Sequence, residues 1–207
     1  DAQDLLADIQ AEKQRLIVAG EIKREKALPA IDENDLPFDI PNNWVWVKIG
    51  DIFNIVRGGS PRPIQQFLTT ANDGLNWIKI GDTDIGGKYI TSTREKIKPA
   101  GLVKTRLVKK GSLLLTNSMS YGRPYILEVD GCIHDGWLSL TPLSSNLSKE
   151  FFYYLLSSTF VKTEFDKSVS GAVVKNLNSD KVRDTLIPLP PLKAQQRIVE
   201  KLEEILP

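Results

Sequence analysis

From residue 44 to residue 140 the chain is a succession of short β-type runs, each stopped within a few residues by a turn-former. Trp44-Val-Trp46-Val-Lys48-Ile49 and Ile52-Phe-Asn-Ile55-Val56 carry the aromatic and β-branched side chains that suit a pleated surface. Arg57-Gly-Gly-Ser-Pro61 breaks the second run. Asn76-Trp-Ile-Lys-Ile80 is another strand, ended by Gly81-Asp-Thr-Asp84 and Gly86-Gly87. Arg106-Leu-Val108, Leu113-Leu-Leu115 and Pro124-Tyr-Ile-Leu127 follow, divided by Gly111 and Gly122, and residues 132–140 read as one more strand. No long helix intervenes. The pattern predicts an antiparallel or mixed sheet, barrel-like in one closure.

The ends read differently. Over residues 2–27 Ala2, Ile9 and Leu16 recur every seven positions, with Leu5, Leu6 and Ile17 beside them, and the opposite face is polar. So narrow a stripe predicts a helix that packs on another helix rather than in a deep core. Three prolines and four acids between Pro29 and Pro41 make a linker. Ser148 opens a later helix whose wide apolar face carries Phe151, Phe152, Leu155, Leu156, Phe160 and Phe165. A Ser-Gly loop at 168–171, a helical turn near 179–184 and an extended Thr185-Leu-Ile187 come next. Pro188, Pro190 and Pro191 predict a rigid turn, with Pro191 as first residue of a last helix. Leu192, Gln195, Ile198, Leu202 and Ile205 line one seam of that helix. Gln14-Arg-Leu-Ile17 echoes Gln196-Arg-Ile-Val199, which suggests a globular middle carried between two coiled-coil arms. The fold class expected is α+β, a β-rich domain flanked by N- and C-terminal helices. The boundaries expected are 1–28 for the first helix, 35–187 for the domain and 188–207 for the start of the last helix.

Of the 207 residues 41% are hydrophobic and 26% charged, which supplies a packed core and excludes wholesale disorder. The longest uncharged apolar runs are too short to span a bilayer. No secretory leader is visible, and the one cysteine, Cys132, cannot build a disulfide framework, so a cytoplasmic setting is the expectation. A start at Asp1 and an end inside an amphipathic pattern suggest a piece of something longer. Net charge is only +1, but residues 48–123 hold 13 basic and 5 acidic side chains. Residues 88–110 carry eight of those cations against Glu95 alone. Such a concentration suits a polyanion, because each cation near a phosphate releases condensed counterions.

Catalytic constellations are scarce. Cys132 and His134 share a strand face, which reads as packing before it reads as a nucleophile pair. One His and one Cys cannot make a structural zinc site. A P-loop and a glycine fingerprint for a dinucleotide or methyl-donor cofactor are missing. Glu21-Ile-Lys23 and Glu95-Lys-Ile-Lys98 resemble part of a metal-dependent nuclease, which would need converging carboxylates. Asp82 and Asp84 read as a turn. Candidate DNA contacts are richer. Arg57, Ser60 and Arg62 surround glycines whose flexible backbone can approach phosphate. Lys79, Lys88, Arg94, Lys96, Lys98, Lys104 and Arg106 form the cationic strip. Asn117, Ser118, Ser120, Tyr121 and Arg123, with Ser170, Lys175 and Asn176, offer groups of the kind that read base edges. Trp44 and Trp46 are expected to be packing anchors.

Several stretches resemble, in order and along essentially the whole chain, one half of the specificity subunit of a type I restriction–modification system. They are Ala11-Glu-Lys-Gln-Arg-Leu16, Leu36-Pro-Phe-Asp-Ile-Pro-Asn-Asn-Trp-Val-Trp-Val-Lys-Ile-Gly-Asp-Ile52, Arg57-Gly-Gly-Ser-Pro61, Trp77-Ile-Lys-Ile-Gly-Asp82, Lys110-Gly-Ser-Leu-Leu-Leu115, Lys175-Asn-Leu-Asn178 and Ile187-Pro-Leu-Pro-Pro-Leu-Lys-Ala-Gln-Gln-Arg-Ile-Val199. The resemblance implies a target-recognition domain that reads half of a bipartite site in double-stranded DNA. It implies helices that set the spacing and bind methyltransferase subunits, with a restriction subunit joining them. S-adenosylmethionine, ATP and magnesium would belong to those partners, leaving this chain without cofactor, metal or catalytic residue. A full subunit carries two recognition domains where this chain has one, so two copies joined through the helical arms would read a symmetric site. A metal-dependent nuclease and a protein-interaction adaptor that binds no DNA are the alternatives.

Overall fold

The computed structural model describes residues 1–118, 120–171 and 176–206. The chain divides into two compact units that do not follow chain order. One comprises Asp1–Asn54, Pro142–Ser168 and Asp180–Pro207, and the other Ile55–Thr141 and Val169–Ser179.

The first unit contains most of the helix. Helix α1 spans Ala2–Val18, capped by the Asp1 carboxylate, which accepts from the Gln3 and Asp4 N–H groups. It is shorter than the periodicity predicts. Gly20 takes φ 72°, and the N–H groups of Gly20 and Glu21 turn back to the Ile17 and Leu16 carbonyls. Residues beyond it serve as an extended strap instead, where the Arg183 guanidinium pairs with Glu25 at 2.7 Å and donates to the Lys26 carbonyl. The seam is also less exposed than expected, since Ala2, Leu5 and Ile9 are buried within the unit.

Strands β1 (Val45–Lys48) and β12 (Leu186–Leu189) pair antiparallel, Trp46 opposite Pro188. The proline turn expected here is therefore partly strand. A two-stranded ribbon has edges on both sides, so an imide nitrogen is tolerated. Trp46 packs edge-to-face with Phe38 and Phe160, centroids 5.0 and 6.0 Å away, and is the packing anchor its sequence predicts.

The predicted long helix from Ser148 is two, α3 (Lys149–Ser157) and α4 (Thr159–Val169), because Ser158 turns to extended backbone between them. Helix α5 spans Ser179–Asp184 and α6 spans Leu192–Ile205, with Pro191 as its N-cap rather than its first residue. Gln195 of α6 is fully buried. Its Oε1 accepts from the Ser148 N–H and its Nε2 donates to the Pro190 carbonyl, both at 2.9 Å, which pins α6 to the start of α3.

The second unit is built on two mixed sheets rather than one closed barrel. Strands β2 (Phe53–Arg57), β11 (Trp137–Pro142), β8 (Leu113–Thr116), β9 (Pro124–Leu127) and β5 (Tyr89–Ile90) form one sheet in that order. Strands β3 (Leu68–Thr69), β6 (Glu95–Ile97), β4 (Leu75–Ile78), β10 (Gly131–Ile133) and β7 (Arg106–Val108) form the other. Ile78, Val108 and Ile133 from one sheet and Leu114, Tyr125, Leu127 and Trp137 from the other meet in a common core. Trp77, Ile97 and Cys132 form a smaller cluster on the opposite face of the second sheet.

The stretch 132–140 is two strands in different sheets, not one. The Gly136 N–H donates to His134 Nδ1 at 2.7 Å, and a Cβ at Gly136 would overlap that ring, so the chain turns tightly at 134–136.

Candidate nucleic-acid interface

Two of the predicted DNA-contacting loops are organised by this turn. Gly58 and Gly59 are held against backbone, their N–H groups donating to the Trp137 and Ile133 carbonyls at 3.0 and 3.1 Å. A Cβ at Gly58 would sit 2.1 Å from the His134 carbonyl oxygen, and one at Gly59 2.6 Å from that of Lys104. The glycines serve close approach to the protein's own backbone, not flexibility toward phosphate.

Fixed in this way, the loop converges on Asp135. Its carboxylate accepts from the Ser60 hydroxyl at 2.7 Å and from Arg62 Nη2 at 3.4 Å. Its carbonyl accepts from Arg57 Nε at 3.1 Å and from Asn117 Nδ2 at 2.8 Å. The Ser60 hydrogen bond is the main cause holding the Asp135 carboxyl below the usual carboxylate range. Asp135 thus joins two loops that the sequence offered separately, through Arg57, Ser60 and Arg62 on one and Asn117 on the other, and no local motif marks it.

Asn117 is 1% exposed, its N–H bonded to the Gly136 carbonyl and its own carbonyl to the Leu177 N–H. It fastens segments together and does not present its amide to solvent. Beyond it, Thr116 closes the loop, donating to the Ser120 carbonyl at 2.7 Å and accepting from the Arg123 N–H at 3.0 Å. Gly122, at φ 80°, makes the turn. The loop presents Ser118, Ser120 and Tyr121 half-buried and Arg123 exposed. Ser170 is exposed and Asn176 half-buried, while Lys175 lies outside the described residues.

The cationic strip is contiguous in sequence but not in space. Lys88 precedes β5 at the edge of one sheet, its Nζ 5.5 Å from the Tyr89 ring. Lys96 lies on β6 of the other sheet with Arg94 and Lys98 flanking that strand, and Arg106 starts β7 at that sheet's far edge. Lys98 donates to the Gln66 carbonyl, Lys104 stands over the Phe67 ring and Arg106 donates to the Thr105 carbonyl. Arg94 lies 3.9 Å from Asp82 and stays largely exposed, as does Lys96. Lys109 and Lys110 are neutralised by Asp130 and Glu128, each at 2.8 Å.

Between the Arg62 loop and β4 lies a cleft of about 870 Å³, walled by Ile64, Leu68 and Trp77 and rimmed by Arg62, Lys79, Glu95 and His134. Lys79 and Glu95 form an ion pair at 2.8 Å. Burial pushes the His134 imidazole below its ordinary value and the Cys132 thiol up to about 11. A protonated thiol in a closed apolar cluster has none of the character of a nucleophile. Among the described residues, no group of three or more His, Cys, Asp or Glu side chains could hold a metal ion. Glu21 faces Arg15 and Glu95 faces Lys79, so both acids of the nuclease-like stretches are paired with cations. Among the described residues, no helix is long and apolar enough to cross a membrane.

A family model for the type I restriction modification DNA specificity domain matches residues 41–206. The EcoBI specificity subunit of Escherichia coli is 41% identical over 167 residues, covering 81% of this chain and 33% of that protein. The EcoEI specificity subunit of the same organism is 22% identical over 216 residues, covering 98% of this chain and 36% of that protein. The chain therefore spans about a third of the length of these curated relatives. Among solved structures, the HsdS subunit from Thermoanaerobacter tengcongensis superposes with a TM-score of 0.64 at 22% identity, covering 98% of this chain and 45% of that one. A chain from a type I R-M system gives a TM-score of 0.66 at 22% identity, covering 98% of this chain and 46% of that one.

Proposed function

The chain belongs to the type I restriction–modification DNA specificity domain family, and from that premise we propose that it reads one half of a bipartite target in double-stranded DNA. The observation that carries the reading is the convergence on Asp135. One residue holds Arg57, Ser60 and Arg62 on one loop and, through Asn117, the start of the 117–123 loop. Preorganised groups of this kind lose less conformational entropy on binding than mobile ones.

In this reading Arg57 and Arg62, with Lys88, Arg94, Lys96, Lys98, Lys104 and Arg106, grip phosphates. Ser118, Ser120, Tyr121 and Arg123, with Ser170, Lys175 and Asn176, approach bases, and Asn117 and Ser60 act as positioning residues. The chain is a recognition subunit without catalytic residues of its own and works in the cytoplasm. Methyltransferase subunits dock on the helices α1 and α6 and bring S-adenosylmethionine. A restriction subunit brings ATP and magnesium. Two copies paired through the same helices would read a symmetric site.

Arg123→Ala tests the assignment in the subunit assembled with its methyltransferase. Cognate binding should fall by about 1–3 kcal/mol while random-sequence binding changes less. Equal losses on both would move Arg123 to the phosphate-gripping class. Binding to any DNA that ignores salt between about 50 and 200 mM would sink the reading in favour of a protein-interaction adaptor. Magnesium-dependent cleavage by this chain alone would replace it with a nuclease.

A further inference from the structure

In the cleft beside the Arg62 loop, Glu95 is the single acid among lining residues that include the cations Arg62 and Lys79 and the polar Ser60, Gln65 and His134. Glu95 is directly opposite Trp77 in the β6–β4 register, and Lys79 lies two residues beyond Trp77, so all three belong to one face of the sheet. The pair is neither sealed nor fully solvated, with Lys79 32% and Glu95 38% exposed. Trp77 is buried and gives it a rigid floor.

A carboxylate on a DNA-facing surface is repelled by every phosphate. The groups on a duplex that attract it are the amines at base edges, cytosine N4 and adenine N6 in the major groove and guanine N2 in the minor. The lysine has the opposite preference, for guanine O6 and N7 or adenine N7. We propose that Lys79 and Glu95 together read a base-pair edge that offers a hydrogen-bond acceptor beside an exocyclic amine, a specificity role that rests on the DNA-recognition reading above. A donor and an acceptor held 2.8 Å apart present the complement of guanine O6 beside cytosine N4, or of adenine N7 beside N6. The other acid near the cleft, Asp135, is committed to Ser60 and Arg62. Nor is the ion pair needed to join its strands, since β4 and β6 are already paired through the backbone.

The experiment is selection of bound double-stranded DNA from a randomised pool by the complete specificity subunit in its assembled complex. Wild type, Glu95→Gln and Lys79→Met are compared, with circular dichroism as a check on folding. The pair predicts one motif position at which discrimination falls about tenfold while the rest of the motif is kept. If the edge is G·C, Glu95→Gln shifts that position toward adenine, whose N6 and N7 suit an amide. If it is A·T, Glu95→Gln keeps adenine and Lys79→Met relaxes it. Unchanged base frequencies in both variants, or a uniform loss over all sequences, would overturn the pair's role and leave the DNA reading standing. A wild-type complex that enriches no motif would sink the DNA reading itself.

Discussion

The same hexapeptide pattern occurs once in each unit, as Trp46-Val-Lys-Ile-Gly-Asp51 and Trp77-Ile-Lys-Ile-Gly-Asp82. Both copies leave a strand by the same turn, in which the aspartate accepts from the lysine N–H, at 3.0 Å in the first and 2.9 Å in the second. Their surroundings differ completely. In the first, Lys48 is buried and pairs with Asp184 at 2.6 Å, and the Gly50 carbonyl accepts from Lys13 Nζ. A Cβ on Gly50 would meet Arg183 Cβ at 3.0 Å. In the second, Gly81 is exposed with nothing near it, and Lys79 faces Glu95 at a cleft rim. Local sequence encodes the turn, and the packed environment decides whether it locks a framework or offers a surface.

Alanine at the two glycines breaks the symmetry most strongly. Gly50→Ala pushes against Arg183 and Leu28 side chains and the Arg183 carbonyl, with little room to yield. It should cost about 1–3 kcal/mol of stability, as overpacking does. Gly81→Ala meets open space and should stay within about 0.5 kcal/mol. Urea unfolding of both variants checks this. Equal losses would show that the turn itself, not its surroundings, needs glycine.

The lysines should separate by a smaller margin. Lys48→Met removes a mostly buried cation from the Asp184 carboxylate, which remains half solvated, and should cost about 1 kcal/mol. Lys79→Met should change stability by less than about 0.5 kcal/mol, because a surface pair that is about one-third exposed on both sides is screened by solvent and contributes little. Thermal unfolding tests the difference. If Lys79→Met destabilised more than Lys48→Met, the Lys79–Glu95 pair would be framework after all.

How much of this was legible follows the same division between local and assembled features. Strands β8 and β9 are readable because their apolar runs are set off by Gly111 and Gly122, which take φ 88° and 80° as a turn requires. Strands β3, β5 and β6 are two or three residues long, and alternation cannot show in so few positions. Only the pairing of β6 with both β3 and β4 makes Glu95–Ile97 a strand. The break at 134–136 was hidden because Cys132, Ile133, Trp137 and Leu138 all suit a strand, and the local hydrogen bond from the Gly136 N–H to the His134 imidazole leaves no mark in their hydrophobic pattern. In the site, Arg57, Ser60, Arg62 and Arg123 are recognisable by residue type near glycine. Asp135 is not, since its role exists only once Ser60, Arg62 and Asn117 arrive from distant segments.

Acid should act unequally on one latch from each unit, because the two differ in chemistry. The framework's latch is Gln195, a buried neutral amide with no proton to gain between pH 2 and pH 7. The reader's latch is Asp135, whose carboxyl titrates below its ordinary value. A depressed carboxylate contributes stability above the unfolded value of about 3.9, and that contribution is lost as pH falls through the folded value. Asp135→Asn removes the contribution at every pH. Its denaturation midpoint should therefore lie slightly below wild type at pH 7, and the two should converge as the pH falls below about 3.9. The effect is small because Asp135 is 45% exposed and solvent screens the pair with Arg62. Urea midpoints measured from pH 2 to pH 7 would show it. A constant gap across that range would mean that Ser60 and Arg62 hold the neutral side chain as firmly as the charged one, and the Asp135 latch would be as indifferent to pH as the Gln195 amide.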